Sequence, residues 1–310
     1  MKQLLIDAYR RVEPYIHKTP VLTSHMLNEI SGCDIFFKCE NFQRMGAFKI
    51  RGALNAIMQL SPEQRSKGVI THSSGNFAQA LSLAAKELGV KAYVVMPNTA
   101  PQVKKNAVAG YGGQIEECEP NMKAREDAVA EVVKNKGVTF LHPSNDLNVI
   151  LGQGTSAMEL LEDIPDLNYI FTPVGGGGLA AGTIIAAKHY GSDCKVIGGE
   201  PTNMDDAYRS LKAGEIIEEN DGDTIADGLK TYLGDINFPI IKQNIEKITT
   251  VTEQEIIDAM RLIWERMKIV VEPSSAVAFA ALLKEKTLYN GKKCGVILSG
   301  GNVDLSKLPF

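Results

Sequence analysis

From residue 69 onward, short runs of apolar, often β-branched residues alternate with longer stretches whose apolar positions recur every three or four residues. The short runs are typical of buried strands, and the longer period is typical of helices that cover a sheet. The pattern predicts an α/β fold in which a parallel sheet carries helices on both faces. The predicted strands are 68–71, 91–96, 114–118, 138–141, 169–173, 195–200 and 293–298.

Helical periodicity predicts helices between these strands, and one later helix start is marked sharply. Thr252 is followed three residues later by Glu255, which is the spacing of a reciprocal capping box, and an apolar-periodic run continues to Met267. No repeat, low-complexity tract or long linker interrupts the alternation, so a two-lobed body is favoured over tethered domains. The predicted helices are 76–88, 122–135, 154–162 and 179–190.

The composition narrows the classes of protein to consider. The 310 residues carry a net charge of −4, and the 44% hydrophobic and 23% charged fractions are typical of a globular protein. We therefore expect no nucleic-acid partner and no membrane partner. Five cysteines without a Cys-x-x-Cys pair predict reduced thiols in a cytoplasmic protein. The charged, amphipathic residues 1–16 predict no signal peptide.

Four consecutive glycines, Gly175, Gly176, Gly177 and Gly178, lie between a predicted strand and a predicted helix. Glycine lets the backbone amides close around an anion at a helix N-terminus, where unpaired N–H groups and the helix dipole both favour negative charge. The sequence therefore predicts a phosphate cup, and its spacing differs from the dinucleotide-binding Gly-x-Gly-x-x-Gly motif. The alternative is a flexible turn without a ligand.

Two further loops follow predicted strands and carry polar residues. Ser73, Ser74, Gly75 and Asn76 can offer hydroxyl, amide and backbone groups to a ligand, although the same residues would serve as a plain helix N-cap. The loop at 298–302, Leu-Ser-Gly-Gly-Asn, follows the last predicted strand and by itself resembles many strand-to-turn junctions.

Lys49 lies between Phe48 and Ile50. Apolar neighbours disfavour the ammonium form, so the pKa of such a lysine falls and its amine becomes available as a nucleophile for a Schiff base. The alternative is a surface lysine whose aliphatic stem lies over apolar side chains.

Nine segments in order carry a resemblance that covers nearly the whole chain, and they are 38–43, 46–52, 72–76, 152–155, 175–178, 200–201, 226–228, 272–273 and 299–302. With these segments, the sequence resembles fold-type II pyridoxal-phosphate (PLP) enzymes of the serine/threonine dehydratase and serine racemase family. This tryptophan synthase β-like fold has two domains, each with a parallel-rich sheet flanked by helices. The resemblance implies a large PLP-binding domain from 1–67 and 146–310, a small mobile domain at 68–145 that closes over the substrate, and a homodimer.

The resemblance also implies roles around the cofactor. Lys49 would form the Schiff base, and Gly175 to Gly178 would hold the phosphate. Asn76 would contact the ring hydroxyl, Phe48 would pack on the ring, and Ser299 would bind the pyridine nitrogen. Because a serine hydroxyl does not hold that nitrogen protonated, the ring is a weaker electron sink, which favours β-elimination or racemisation over transamination.

The implied activity is an ammonia-lyase (dehydratase) that converts L-serine or L-threonine to a 2-oxo acid and ammonia, with Lys49 as general base. Racemisation of serine needs a second acid/base on the opposite face, for which Ser74 is the candidate. Alternatively, Ser74 only binds the substrate carboxylate together with Ser73, Gly75 and Asn76. The resemblance places two further residues on the substrate side, Arg125 and Thr231.

Glu200 and Asp206 follow a predicted strand, six residues apart. Carboxylates combined with a backbone carbonyl suit Mg²⁺ or Ca²⁺, and the resemblance implies the Met204 carbonyl as the third protein ligand. From spacing alone, two solvated acidic residues are an equally simple interpretation.

Two alternative functions remain open. In the first, a threo-3-hydroxyaspartate ammonia-lyase or an aspartate racemase shares the scaffold, and Arg125, Ser144 and Thr231 contact a second substrate carboxylate. The substrate side departs from the family at Phe77, where relatives usually have histidine, and at residues 144–147. In the second, the chain is a non-catalytic protein that binds a small anion in the glycine cup.

Overall fold

The computed structural model describes residues 1–219 and 222–310, apart from the side chain of Met122. Within these residues the strands form two sheets. The strands are β1 (Val21–Leu22), β2 (Asp34–Cys39), β3 (Val69–His72), β4 (Ala92–Pro97), β5 (Gln114–Cys118), β6 (Thr139–Phe140), β7 (Tyr169–Pro173), β8 (Lys195–Pro201), β9 (Lys247–Val251) and β10 (Lys293–Leu298).

Helices separate most of these strands. They are α1 (Lys2–Val12), α2 (His25–Ser31), α3 (Lys49–Met58), α4 (Pro62–Lys67), α5 (Asn76–Glu87), α6 (Gln102–Gly110), α7 (Met122–Lys136), α8 (Leu147–Asp163), α9 (Gly178–Tyr190), α10 (Asp206–Ala213), α11 (Asn237–Asn244), α12 (Glu253–Met267) and α13 (Pro273–Lys284). None of the helices in the described residues is both long enough and apolar enough to cross a membrane.

The larger sheet has six strands in the order β1-β2-β10-β7-β8-β9, parallel except for the antiparallel pair β1–β2. One face packs on α12 and α13, where the rings of Phe37 and Phe279 meet edge to face at 5.4 Å. The other face packs on α8 and α9 through residues such as Leu160 and Ile184. Helices therefore cover both faces, as a parallel sheet requires.

The smaller sheet has four parallel strands in the order β5-β4-β3-β6. Successive side chains of a strand point to opposite faces, so Val69 packs toward α3 and α5 whereas Ile70 packs toward Val129 and Val132 of α7. All four strands lie between residues 69 and 140. The domain boundaries at 68 and 145 stay a prediction.

The predicted α/β class, with parallel-rich sheets and flanking helices, is confirmed. Strands β1, β2 and β9 were not predicted, and the helix predicted at 154–162 begins at residue 147 as α8. In β2 the pattern is obscured by two charged residues, the exposed Asp34 at its start and the fully buried Lys38. The capping box at Thr252 and Glu255 is present and opens α12.

Candidate active site

Lys49 is the first residue of α3 and is partly buried. Its Nζ donates a hydrogen bond to the Pro143 carbonyl at 3.1 Å and lies 5.0 Å from the ring centroid of Phe48 and 5.9 Å from that of Phe77. Burial lowers the pKa of Lys49 to about 8, and the carboxylate of Glu272 acts in the opposite direction. A larger fraction of this amine than of an exposed lysine is therefore neutral and nucleophilic near neutral pH.

Backbone hydrogen bonds join the segment before Lys49 to the loop after β10. The amide of Phe48 donates to the Ser299 carbonyl at 3.1 Å, and the amide of Gly301 donates to the Gly46 carbonyl at 2.9 Å. Gly46 has a φ of +76°, and a β-carbon there would lie 2.6 Å from Oδ1 of Asn302. Glycine is the residue that fits this position. It therefore allows the segment that carries Lys49 to lie against the loop that carries Ser299.

The four glycines form a tight loop between β7 and the start of α9. A β-carbon on Gly176 would lie 2.4 Å from Oγ of Ser144, and Gly177 has a φ of +77°. Among residues 1–219 and 222–310, no hydrogen-bond acceptor receives the amide hydrogens of these glycines. Unpaired amides at a helix N-terminus suit an anion such as a phosphate group.

Asn76 begins α5, directly after the predicted serine loop. Its Nδ2 donates to Glu272 at 2.8 and 3.1 Å, and its Oδ1 accepts from Nδ2 of Asn302 at 2.9 Å. Ser73, Ser74 and Gly75 are partly buried in the loop. No hydrogen bond within the described chain joins Ser74 to Lys49, so its role as a second acid/base stays a prediction.

Glu272 was predicted only as part of the family-matching segment 272–273, and no role in the site was predicted for it. Its side chain is buried, and burial together with the negative charge of Asp227 raises its pKa to about 8. A β-carbon on Gly300 would lie 2.7 Å from its Oε1. A carboxyl group in this position links the Asn76 side chain to the loop that follows β10.

Ser299 is buried at the end of β10, with its Oγ 3.2 Å from Oγ of Ser275. Ser275 Oγ donates to the Gly300 carbonyl at 2.6 Å and accepts from the Gly300 amide at 2.6 Å. The Ser275 proton is committed to that carbonyl, so only Ser299 can donate between the two hydroxyls. The Ser299 hydroxyl has no other partner in the described chain, and turning its proton toward a ligand would give it the predicted role.

Arg125 and Thr231 lie in separate parts of the chain, Arg125 on α7 and Thr231 between α10 and α11. The charge of Arg125 contributes, after burial, to lowering the pKa of His72, which precedes the serine loop. Thr231 is exposed, and its Oγ1 would lie 2.9 Å from a β-carbon on Gly176, which places it at the rim of the glycine cup. Their substrate contacts stay predictions.

The predicted metal ligands lie where β8 ends and α10 begins, and Glu200, Met204 and Asp206 are all buried. The Glu200 carboxylate accepts the amide hydrogens of Ala207 and Tyr208, each at 2.8 Å. Burial and the neighbouring charge of Asp206 raise the pKa of Glu200 well above its ordinary value. The described residues contain no cluster of three His, Cys, Asp or Glu side chains that could hold a metal ion, so the two-carboxylate site with the Met204 carbonyl stays a prediction.

The arrangement fits PLP, because unpaired glycine amides suit its phosphate and a lysine with a lowered pKa suits its aldehyde. The family model for pyridoxal-phosphate dependent enzymes matches residues 12–300. The chain belongs to this family. The resemblance to fold-type II PLP enzymes of the serine racemase and dehydratase group is thus confirmed.

Similar members of the PLP family include two curated proteins. Serine racemase of Dictyostelium discoideum is 52% identical over 306 residues, which cover 97% of this chain and 94% of that protein. A β-hydroxyaspartate dehydratase of Paracoccus denitrificans is 49% identical over 306 residues, covering 99% and 97%. The crystal structure of the Dictyostelium serine racemase matches with a TM-score of 0.94 over 98% of both chains at 51% identity.

Proposed function

We propose that this PLP enzyme is an ammonia-lyase that converts L-serine or L-threonine to a 2-oxo acid and ammonia and also racemises serine. The observation that carries the proposal is the Lys49 amine, with its lowered pKa, in a site that also holds a glycine cup with unpaired amides. Similarity to a serine racemase along almost the whole chain supports the same chemistry.

Bound PLP supplies the electron sink that makes the α-proton of an amino-acid substrate acidic. Gly175 to Gly178 would hold its phosphate with their amides, and Lys49 would hold its aldehyde carbon. Phe48 would pack on the ring, Asn76 would bind the ring hydroxyl, and the Ser299 hydroxyl would bind the pyridine nitrogen.

Lys49 acts as the general base in this proposal, because a neutral amine on a partly buried side chain can accept the α-proton on one face of the substrate. Ser74 acts on the opposite face, where a hydroxyl returns a proton to the same carbon and completes racemisation. Ser73, Gly75 and Asn76 bind the substrate carboxylate at the N-terminus of α5, where helix amides favour negative charge.

An assay of pyruvate and D-serine formation from L-serine tests this function. We expect both products from the PLP-loaded wild type and neither from Lys49→Ala. Ser74→Ala should lose D-serine formation while retaining elimination of L-serine. Equal loss of both activities would exclude Ser74 as the second acid/base, and a wild type inactive on both serine and threonine would refute the lyase proposal.

A second candidate function is the β-elimination of threo-3-hydroxyaspartate. The similarity to a β-hydroxyaspartate dehydratase favours it, as do the hydroxyls of Ser144 and Thr231, which both approach Gly176 and can bind a second carboxylate. Arg125 would add positive charge on the substrate side. Steady-state kcat/KM values for serine, threonine, aspartate and threo-3-hydroxyaspartate decide between the candidates, and a value for hydroxyaspartate at least tenfold above that for serine would select the second.

We also propose that Glu200, Asp206 and the Met204 carbonyl bind Mg²⁺ or Ca²⁺, because a cation would compensate two neighbouring buried carboxyl groups. Chelation should then lower both activity and thermal stability, and added Mg²⁺ or Ca²⁺ should restore them. Unchanged stability and activity in chelator would contradict the metal proposal.

The family resemblance further supports a cytoplasmic homodimer in which the domain at 68–145 closes over the substrate.

A further inference from the structure

Residues 142–146, here called the 142–146 loop, connect Lys49 with the glycine cup. On one side, the Pro143 carbonyl accepts the hydrogen bond from Nζ of Lys49 at 3.1 Å. On the other side, the fully buried Asn237 donates from Nδ2 to the Ser144 carbonyl at 3.0 Å and to the Gly176 carbonyl at 2.8 Å. The position of this one loop therefore fixes an acceptor for the lysine amine relative to the cup.

The imidazole of His142 accepts two backbone hydrogen bonds from its own 142–146 loop, an arrangement called the His142 cap below. Its Nδ1 lies 3.2 Å from the amide nitrogen of Ser144 and 2.8 Å from that of Asn145. A backbone N–H can only donate, so Nδ1 accepts both hydrogen bonds and carries no proton. The ring is therefore the neutral tautomer with its hydrogen on Nε2.

The surroundings of His142 keep the ring neutral. Burial, followed by the charges of His72 and Lys49, lowers the pKa of His142 to about 4, and Asp235 acts in the opposite direction. The His72 ring lies 5.9 Å away, edge to face. The ring is therefore neutral near neutral pH, and its Nδ1 atom stays free to accept both hydrogen bonds.

We propose that His142 is a positioning residue for Lys49. The buried Gln153 also donates from Nε2 to the Pro143 carbonyl, at 3.2 Å. Through the 142–146 loop, the His142 ring acts with Gln153 to set this carbonyl at the place where the Lys49 amine binds whenever that amine is not bonded to the cofactor. The inference rests on the proposed function, because only an enzyme that releases Lys49 in each turnover needs such an acceptor. A carbonyl binds an ammonium group more strongly than a neutral amine and holds either in one direction.

Two matched variants test this role. In His142→Asn, the side-chain Oδ1 is as many bonds from the Cα atom as Nδ1 of histidine, so an acceptor for the two amides is kept. In His142→Leu, a side chain of nearly the same size has no acceptor. The pKa of Lys49 is measured in the cofactor-free full chain from the pH dependence of its modification by an amine-reactive reagent, and kcat and KM are measured in the PLP-loaded chain.

We expect His142→Leu to lower the pKa of Lys49 below that of the wild type, because the carbonyl favours the charged form. Its kcat should fall by about 10- to 100-fold with little change in KM, since the base is misplaced rather than the substrate site. His142→Asn should restore the pKa and most of kcat. Equal behaviour of the two variants, or a wild-type pKa in the leucine variant, would overturn the proposal.

Hydrogen exchange of backbone amides in the wild type tests the proposal even if His142→Leu does not fold. The amides of Ser144 and Asn145 should exchange their hydrogens slowly, because each donates a hydrogen bond to the partly buried ring of His142. Exchange as fast as that of an exposed loop would refute the cap. Neither the exchange rates nor the pKa of Lys49 depends on turnover, so failure of this inference is distinguishable from failure of the proposed lyase function.

Discussion

The ammonium group of Lys38 lies 2.6 Å from a carboxylate oxygen of Glu159, and both side chains are fully buried. Arg51 completes the cluster, with hydrogen bonds to Glu159 at 2.7 Å and to Glu40 at 2.8 Å. Two cations and two carboxylates therefore balance each other, and Arg51 belongs to α3, the helix that begins at Lys49. Burial alone would raise the pKa of Glu40, but the charge and hydrogen bonds of Arg51, with the charge of Lys38 and the hydrogen bond from Thr19, together hold this pKa below its ordinary value.

Removal of one charge from this cluster should destabilise the fold strongly. We expect Arg51→Met to lower the free energy of unfolding by about 3–5 kcal/mol, because it leaves two buried carboxylates with a single cation. Lys67→Met, which removes the exposed pair between Lys67 and Glu63, should cost less than about 1 kcal/mol. Urea unfolding measures both, and similar losses in the two variants would contradict the argument.

A methyl group in the glycine cup should impair cofactor binding. In Gly176→Ala the new β-carbon would lie 2.4 Å from Oγ of Ser144 and 2.9 Å from Oγ1 of Thr231, so the loop must shift and its amides turn away from the phosphate. We expect the Kd for PLP, measured by fluorescence titration, to rise at least about tenfold. Gly110→Ala is the control, because a β-carbon there meets nothing within 4 Å and alanine favours the helix. Wild-type affinity in Gly176→Ala would show that the cup does not bind the cofactor.

Glu272→Gln should lower the pKa of Lys49. Where Glu272 is ionised, its negative charge opposes the effect of burial on that pKa, so its removal favours the neutral amine. Because the pKa of Glu272 is itself about 8, the carboxyl is only partly ionised where Lys49 titrates, and the shift should be small. Modification of Lys49 in the cofactor-free chain should then reach half its maximal rate at a lower pH than in the wild type. Glu63→Gln, at an exposed position, should leave this pH unchanged, and an equal shift in both variants would contradict a local effect.

The same variant should change how stability depends on pH. The pKa of Glu272 is raised from 4.5 to about 8 in the folded protein, so its contribution is fully present below about pH 4.5 and is lost as the pH rises through 8. Glutamine does not titrate, and so Glu272→Gln should gain stability relative to the wild type between pH 5 and pH 8, by about 1 kcal/mol or more. Urea unfolding at the two pH values measures the difference, and parallel profiles would refute the raised pKa.

Thr252→Ala should weaken the start of α12. The Thr252 hydroxyl accepts from the amide of Glu255, whose carboxylate accepts from the Thr252 amide in return. Loss of the cap should cost about 1 kcal/mol, whereas Thr252→Ser retains the hydroxyl and should cost much less. Thermal unfolding compares the two, and equal losses would mean that the methyl group, not the cap, stabilises this turn.

Local patterns predicted the parts of the fold that local chemistry determines. Strands β5, β7 and β10 begin and end at the residues predicted from the sequence, and the glycine cup was predicted because glycine's backbone freedom is visible in the sequence itself. Strand β2 was missed because its buried Lys38 has a partner 121 residues away in Glu159. No periodicity can indicate such a pairing.

The same reason explains which residues of the candidate site were missed. Asn237 holds a carbonyl 61 residues before it, and Glu272 accepts from an amide 196 residues before it. His142 was missed for another reason, since its hydrogen bonds reach only residues two and three positions away and involve only backbone amides, which leave no trace in the sequence. Resemblance to a family predicted Lys49 and the loops around it, and the structure was needed to find the polar residues that support them.

The place of β10 in the larger sheet has a consequence for synthesis of the chain. This strand lies between β2 and β7 and pairs with both, although more than 250 residues separate it from β2. Strands of the smaller sheet pair only with one another and are all made by residue 140. On the ribosome, the smaller sheet can therefore form first. The edges of β2 and β7 that pair with β10 stay unpaired until residue 298 emerges. Nascent chains stalled before β10 should thus be the ones that depend most on chaperones, because exposed strand edges promote aggregation.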